Sequence, residues 1–142
     1  MLDDELQRIR ANIDANIAMM IGIDLNLELH SHHALGHVGD RLHAAQDTRH
    51  GPMLRNFLQE YDLYALNTLW GECGVHAITR IPWNRPKHEG RQIDYILSSK
   101  SIRNRIDTVD LLEDVSLTAS DHIMLRAQVE MNIPSKYYQA PP

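Results

Sequence analysis

Arg91-Gln92-Ile93-Asp94-Tyr95-Ile96-Leu97 is the stretch that decides the fold. Its apolar and β-forming residues describe a buried strand. Asp94 interrupts them and, with side chains alternating, shares a face with Ile96. A carboxylate on a half-buried strand is costly unless something hydrogen-bonds or neutralises it. The chain offers a partner at Asp121-His122, beside another strand-like segment. Asp24 and Asn26 follow a further apolar run, Met19-Met20-Ile21-Gly22-Ile23. Apolar runs that each carry a carboxylate at or near one end predict one shared site.

With 142 residues the chain has the length of one domain and can bury a core. Aromatics are only 6%, so that core rests on Leu, Ile, Val, Ala and Met. A formal net charge of −5 excludes a polycation that coats nucleic acid without specificity and leaves local basic patches open. The lone Cys73 excludes an internal disulfide framework and fits a reducing compartment, with the thiol read as a small, half-buried hydrophobe. The acidic start Met1-Leu2-Asp3-Asp4-Glu5 is unlike a signal peptide. No run approaches the roughly 18 apolar residues of a membrane span. Together these predict a soluble, intracellular protein, with nuclear and cytoplasmic sites both open.

Outward from the Asp94 strand, periodicity predicts a helix over residues 3–17 (Leu6, Ile9, Ile13 and Ile17 in step) and a strand over Ala18–Leu25. Residues 28–50 read as a His-rich loop. Pro52 opens a second helix that runs to about Tyr61. Strands are then expected at Asp62–Leu69, His76–Ile81, Thr108–Leu112 and Ile123–Met131, with a loop over Pro82–Gly90, a connector at Ser101–Arg105 and a loop over Ser116–Ser120. The fold class is α+β: one mainly antiparallel or mixed sheet covered by two helices, over residues 1–133, followed by a frayed tail, 134–142.

A carboxylate aimed at an imidazole fixes its tautomer and stabilises its protonated form, so Asp94 and His122 read as an oriented general base. Asp121 then points to the opposite side of the chain, free to hold a cation. Asp24 and Asn26, two apart, present an acceptor and a neutral donor to one ligand. A hard cation such as Mg²⁺ takes one or two carboxylates and completes its shell with water and substrate phosphate. The set suits hydrolysis of a phosphate ester.

The order Asp24-Leu25-Asn26, Gln92-Ile93-Asp94-Tyr95, Ser120-Asp121-His122 resembles the second half of the endonuclease/exonuclease/phosphatase superfamily. That superfamily includes the apurinic-site endonucleases, exonuclease III and the endonuclease domains of non-LTR retrotransposons. The resemblance runs from about Asn12 to Met131. It implies the second half of a four-layered α/β sandwich, with one apolar sheet face left uncovered, and Mg²⁺ (or Mn²⁺) as cofactor. It also implies that His122 is the base towards water, that Asp94 orients it, that Asp24 and Asn26 contact water and phosphate, and that Asp121 binds metal. Two departures stand out. Ile23 occupies the position before the first Asp where the family usually has Gly, and Gly22 comes one residue early. The family's Asn and metal-binding Glu belong to a first half that this sequence lacks; Glu5 reads as helical and Glu28 as part of a loop.

Two other features compete for a role. His30, His32, His33, His37, His43 and His50 invite a zinc reading, but no Cys lies near and the spacing matches no finger; the alternative is a solvated loop. Arg80, Trp83, Arg85, Lys87 and Arg91 within Thr79–Arg91 describe either a nucleic-acid edge, DNA before RNA, or a polar loop whose Trp83 packs back on the sheet. Three functions follow: a metal-dependent endonuclease, an inactive truncated remnant that keeps nucleic-acid affinity, and a half-domain completed by self-association or another chain.

Overall fold

A computed structural model of the chain describes residues 2–14, 16–29, 36–44, 48–113, 120–132 and 141. The strand β3 (Asp94–Ser99) lies at its centre. One edge of β3 pairs antiparallel with β1 (Met20–Asp24), the other with β2 (Leu63–Ala65), giving a three-stranded sheet in the order β1-β3-β2. A central strand has no solvent face, so its sequence is a near-continuous apolar run. Tyr95 and Leu97 pack with Leu6 and Ile9 of α1 (Leu2–Asn12) and with Leu54 and Leu58 of α2 (Gly51–Glu60). Ile96 faces the other way, onto Val109 and Leu125 of a second antiparallel pair, β4 (Ile106–Leu112) and β5 (Met124–Val129). The Tyr95 hydroxyl lies within hydrogen-bonding distance of the carbonyls of Leu27 and Gln92, at 3.1 and 3.0 Å. Burial pushes its pKa far up, so it stays a neutral donor.

The α+β class and the two covering helices agree with the sequence reading, but the single sheet does not: the described residues form two small antiparallel sheets. The second sheet covers part of the face expected to be bare. Met20, on that face, remains exposed. The helix expected to reach residue 17 ends at Asn12, whose side-chain amide donates to the carbonyl of Arg8, and Asp14 then accepts from the backbone of Asn16. Short polar side chains here satisfy backbone groups that a further turn would need.

The strand expected over Asp62–Leu69 stops at Ala65, and a single helical turn, α3 (Leu66–Leu69), follows. That turn places the buried Asn67 where β2 has run out. Its amide donates to the carbonyl of Asp94 and accepts from the backbone of Ile96, so a side chain finishes the edge of β3. A second single turn, α4 (Lys100–Arg103), fills the expected connector. Instead of a strand at His76–Ile81, Gly74 at φ 63° opens a 3₁₀ turn over Gly74–Ala77. Cys73, just before it, is exposed rather than half-buried. Only the last part of that expected strand is extended, and it joins the two sheets. Arg80 bridges Arg91 on one side and His122 on the other. Gly90 makes room for this, since a Cβ there would lie 2.7 Å from the carbonyl oxygen of Arg80. The tail from residue 134 and the loop 116–119 lie outside the described residues, apart from Pro141.

Thr79 fixes the join. Its hydroxyl oxygen accepts from the backbone of Ile93 and Asp94, both at 3.0 Å, and its carbonyl accepts from Ile123 at 2.7 Å. Replacing Thr79 by Val keeps the shape and strands two backbone donors; the expected loss is about 2 kcal/mol or more in urea unfolding. Thr79→Ser keeps the acceptor and should cost clearly less, so equal losses in the two variants would contradict this role.

Candidate active site

Asp24 and Asp94 are directly opposite each other in the β1–β3 ladder. Paired residues of an antiparallel ladder share a face, and like charges there destabilise a sheet. The face is set by the core: Ile21 and Ile23 pack towards the helices, which leaves Gly22 and Asp24 on the other side. Ile23, the residue that departs from the family's Gly, therefore lies away from the two carboxylates. A Cβ at Gly22 would meet nothing within 4 Å.

His122 enters between the two carboxylates. The bridge from Arg80, the bond from Ile123 to Thr79 and the Ser120 hydroxyl, which accepts from the backbone of His122 at 3.1 Å, set its position. Nδ1 of His122 lies 2.8 and 3.0 Å from the two carboxylate oxygens of Asp94. A carboxylate can only accept here, so the ring proton is on Nδ1 and the Nε2 lone pair is free. Nε2 faces Asp24 Oδ2 at 3.9 Å and Asp121 Oδ1 at 3.7 Å. Asp121 therefore does not point to the opposite side of the chain. Its other oxygen accepts from Arg80 Nε at 2.8 Å. That guanidinium holds the Asp121 carboxyl below the ordinary aspartate range, against a smaller upward push from burial.

Asn26 reaches the site by a turn rather than along a strand. β1 ends at Asp24, Asn26 adopts φ 50°, and its backbone N–H returns to Asp24 Oδ1 at 2.9 Å. Asp24, Asn26 and His122 line one cleft of about 850 Å³. Its opposite wall is the first turn of α1, with Asp3, Asp4 and Glu5, together with Arg8. Sequence reasoning placed those carboxylates at a helix start and not at the site. It also missed Thr79 and Asn67, which hold the backbone of Asp94.

Among the described residues, Asp24, Asp94 and His122 are the one group of three metal-capable side chains with ligand atoms all within 4.8 Å of one another. Asp94 is committed to Nδ1 and one oxygen of Asp121 to Arg80. Asp24, with its side chain 49% exposed, has its Oδ2 3.9 Å from Nε2 of His122. Asp121 is not part of that group, so the carboxylate in it that is left for a hard cation is Asp24, with most of such an ion's shell supplied by water and substrate.

The other predicted residues separate. His37 bonds Asp62 at 2.9 Å and stacks on Tyr64; His43 bonds Glu28 at 2.7 Å; His50 immediately precedes α2. His30, His32 and His33 lie outside the described residues. Arg85 pairs with Glu89, Lys87 with Glu113 and Arg91 with Glu28. Trp83 does not pack back on the sheet. It is 60% exposed, in a turn closed by Arg85 N–H to Pro82 O with Asn84 at φ 59°.

Removing the guanidinium in Arg80→Met should raise the Asp121 carboxyl towards 3.8, followed by carbon NMR. Because the folded value is depressed, its contribution to stability is present above 3.8 and is lost as pH falls through the lowered value. In Arg80→Met that acid-side loss should vanish, and an unmoved Asp121 titration would refute the pairing. No protein-family model matches the chain, and comparison with curated proteins gives no match.

Proposed function

We propose that the chain is a metal-dependent phosphodiester hydrolase of endonuclease type, built as the second half of a four-layered α/β sandwich. The observation that carries this reading is the imidazole of His122, tied at Nδ1 by Asp94 and open at Nε2 beside two further carboxylates. Nε2 takes the proton of the attacking water, and Asp94 stabilises the imidazolium that forms. The exposed amide of Asn26, on the rim of the same cleft, donates to a phosphoryl oxygen. Asp24 would hold Mg²⁺ or Mn²⁺, with Asp121 the further ligand that the family resemblance implies, and the ion when bound would neutralise charge on the phosphate.

Nucleic acid is the substrate class that the surroundings favour. Trp83 lines a small cavity together with Asp121 and His122, where an exposed indole can stack on a base. The pairs of Arg85 and Lys87 are solvent-exposed and worth little, so phosphates can displace their acidic partners. DNA before RNA rests on the family resemblance alone.

One observation favours a second reading, an inactive remnant or a half-domain completed by another chain. No glutamate joins the cluster among the described residues. Glu28, the glutamate of the loop beyond Asn26, is held by His43 and by the backbone of Gln92.

The test is cleavage of abasic-site duplex and supercoiled plasmid with MgCl₂. Cleavage should fall by about 10²–10⁴-fold in His122→Ala and less in Asp94→Asn, where a neutral amide can still orient the ring. No cleavage by the folded protein would select the second reading. Cleavage that survives in His122→Ala would exclude the assigned base.

A further inference from the structure

We infer that the cluster is also a binding site for a borderline divalent ion of the Zn²⁺ class, held between Nε2 of His122 and a carboxylate oxygen of Asp24. Mg²⁺ takes oxygen ligands and leaves an imidazole alone, whereas Zn²⁺ takes nitrogen and oxygen together. The free lone pair on Nε2 is the donor that distinguishes the two ions here. Its ring is fixed as in many zinc sites: the other nitrogen, Nδ1, donates to a carboxylate, Asp94, which sets the tautomer and the ring's orientation.

The spacing agrees. With ion–ligand distances of about 2.0–2.2 Å, two donors that share an ion at a tetrahedral angle lie about 3.4 Å apart. Nε2 and Asp24 Oδ2 are 3.9 Å apart. Closing that gap asks for about half an ångström from an exposed side chain at the rim of a water-filled cleft, with water completing the tetrahedron.

Zinc binding does not depend on the hydrolase reading, but its consequence does. An ion on Nε2 occupies the lone pair that accepts the proton from water, so Zn²⁺ is an inhibitor wherever Mg²⁺ is the activator.

The test uses the full chain labelled with ¹⁵N-histidine, titrated with ZnCl₂ and separately with MgCl₂, with His122 assigned by His122→Gln. Zinc, bound directly to Nε2, should shift the Nε2 resonance of His122 strongly, and excess MgCl₂ should shift it far less. In Asp24→Asn the zinc concentration needed should rise about tenfold or more, with circular dichroism unchanged. In the double variant His37→Gln, His43→Gln the His122 response should persist. A still His122 signal while other histidines move would overturn the site and assign zinc to the His-rich loop. An equal response to MgCl₂, or an undiminished one in Asp24→Asn, would also overturn it. Failure of the hydrolase reading is separable, because a protein without cleavage activity would still show the zinc shift.

Discussion

Two small sheets become one molecule through the backbone of Thr79, Arg80 and Ile81. Arg80 exchanges hydrogen bonds with Arg91 on one side, while Thr79 and Ile81 bond Ile123 and Asp121 on the other. This short seam joins the segment that leads into β3 to the segment that leads into β5, and so brings Asp94 and His122 together. Asp94 cannot shift along β3 because its N–H is held by Thr79 and its carbonyl by Asn67. His122 cannot shift because its neighbours are bonded into the same seam. The 2.8 Å contact between them is thus set by buried backbone groups, which are costly to leave unpaired, and not by the attraction of the pair itself.

A carboxylate touching an imidazole is not rare in this chain. Glu28 holds His43, and Asp62 holds His37, whose hydrogen bond is the main cause of the lowered Asp62 pKa. Both of these pairs brace the His-rich loop: Glu28 also accepts from the backbone of Gln92, and the carbonyl of His37 accepts from Ala65. What separates His122 from the others is the second ring nitrogen. It opens onto a cleft and meets two more carboxylates, an arrangement that costs electrostatic energy and has no evident use as a brace.

The sequence made β3 legible because a central strand buries both faces and so writes an uninterrupted apolar run. It made Asp94 legible for the same reason, as the charged exception. Helices α1 and α2 followed from their periodicity. The seam was illegible: Thr79-Arg80-Ile81 is too short for a pattern, and its meaning lies in partners far along the chain. Register was illegible as well, since nothing local says that Asp24 stands opposite Asp94. Asp121 was misplaced because strand alternation was extended to residues that lie before β5 begins, at Met124. The break after Ala65 failed to show because Leu66-Asn67-Thr68-Leu69 suits a strand by composition. The Thr68 hydroxyl settles it by donating to the carbonyl of Ala65 at 2.6 Å, closing a turn.

Among the described residues, β1 is an edge strand whose one ladder is to β3. Edge elements open locally at lower free energy than central ones. Opening β1 carries Asp24 away and leaves the Asp94–His122 pair whole, because both members of that pair are anchored elsewhere. The candidate site is thereby divided between two cooperative units. One is as stable as the core, and the other breathes with the sheet edge. Any ligand that grips Asp24 must recruit β1 from its open states. Slower amide exchange along Met20–Asp24 would then report occupancy of the site from a distance, with no signal from the ligand itself.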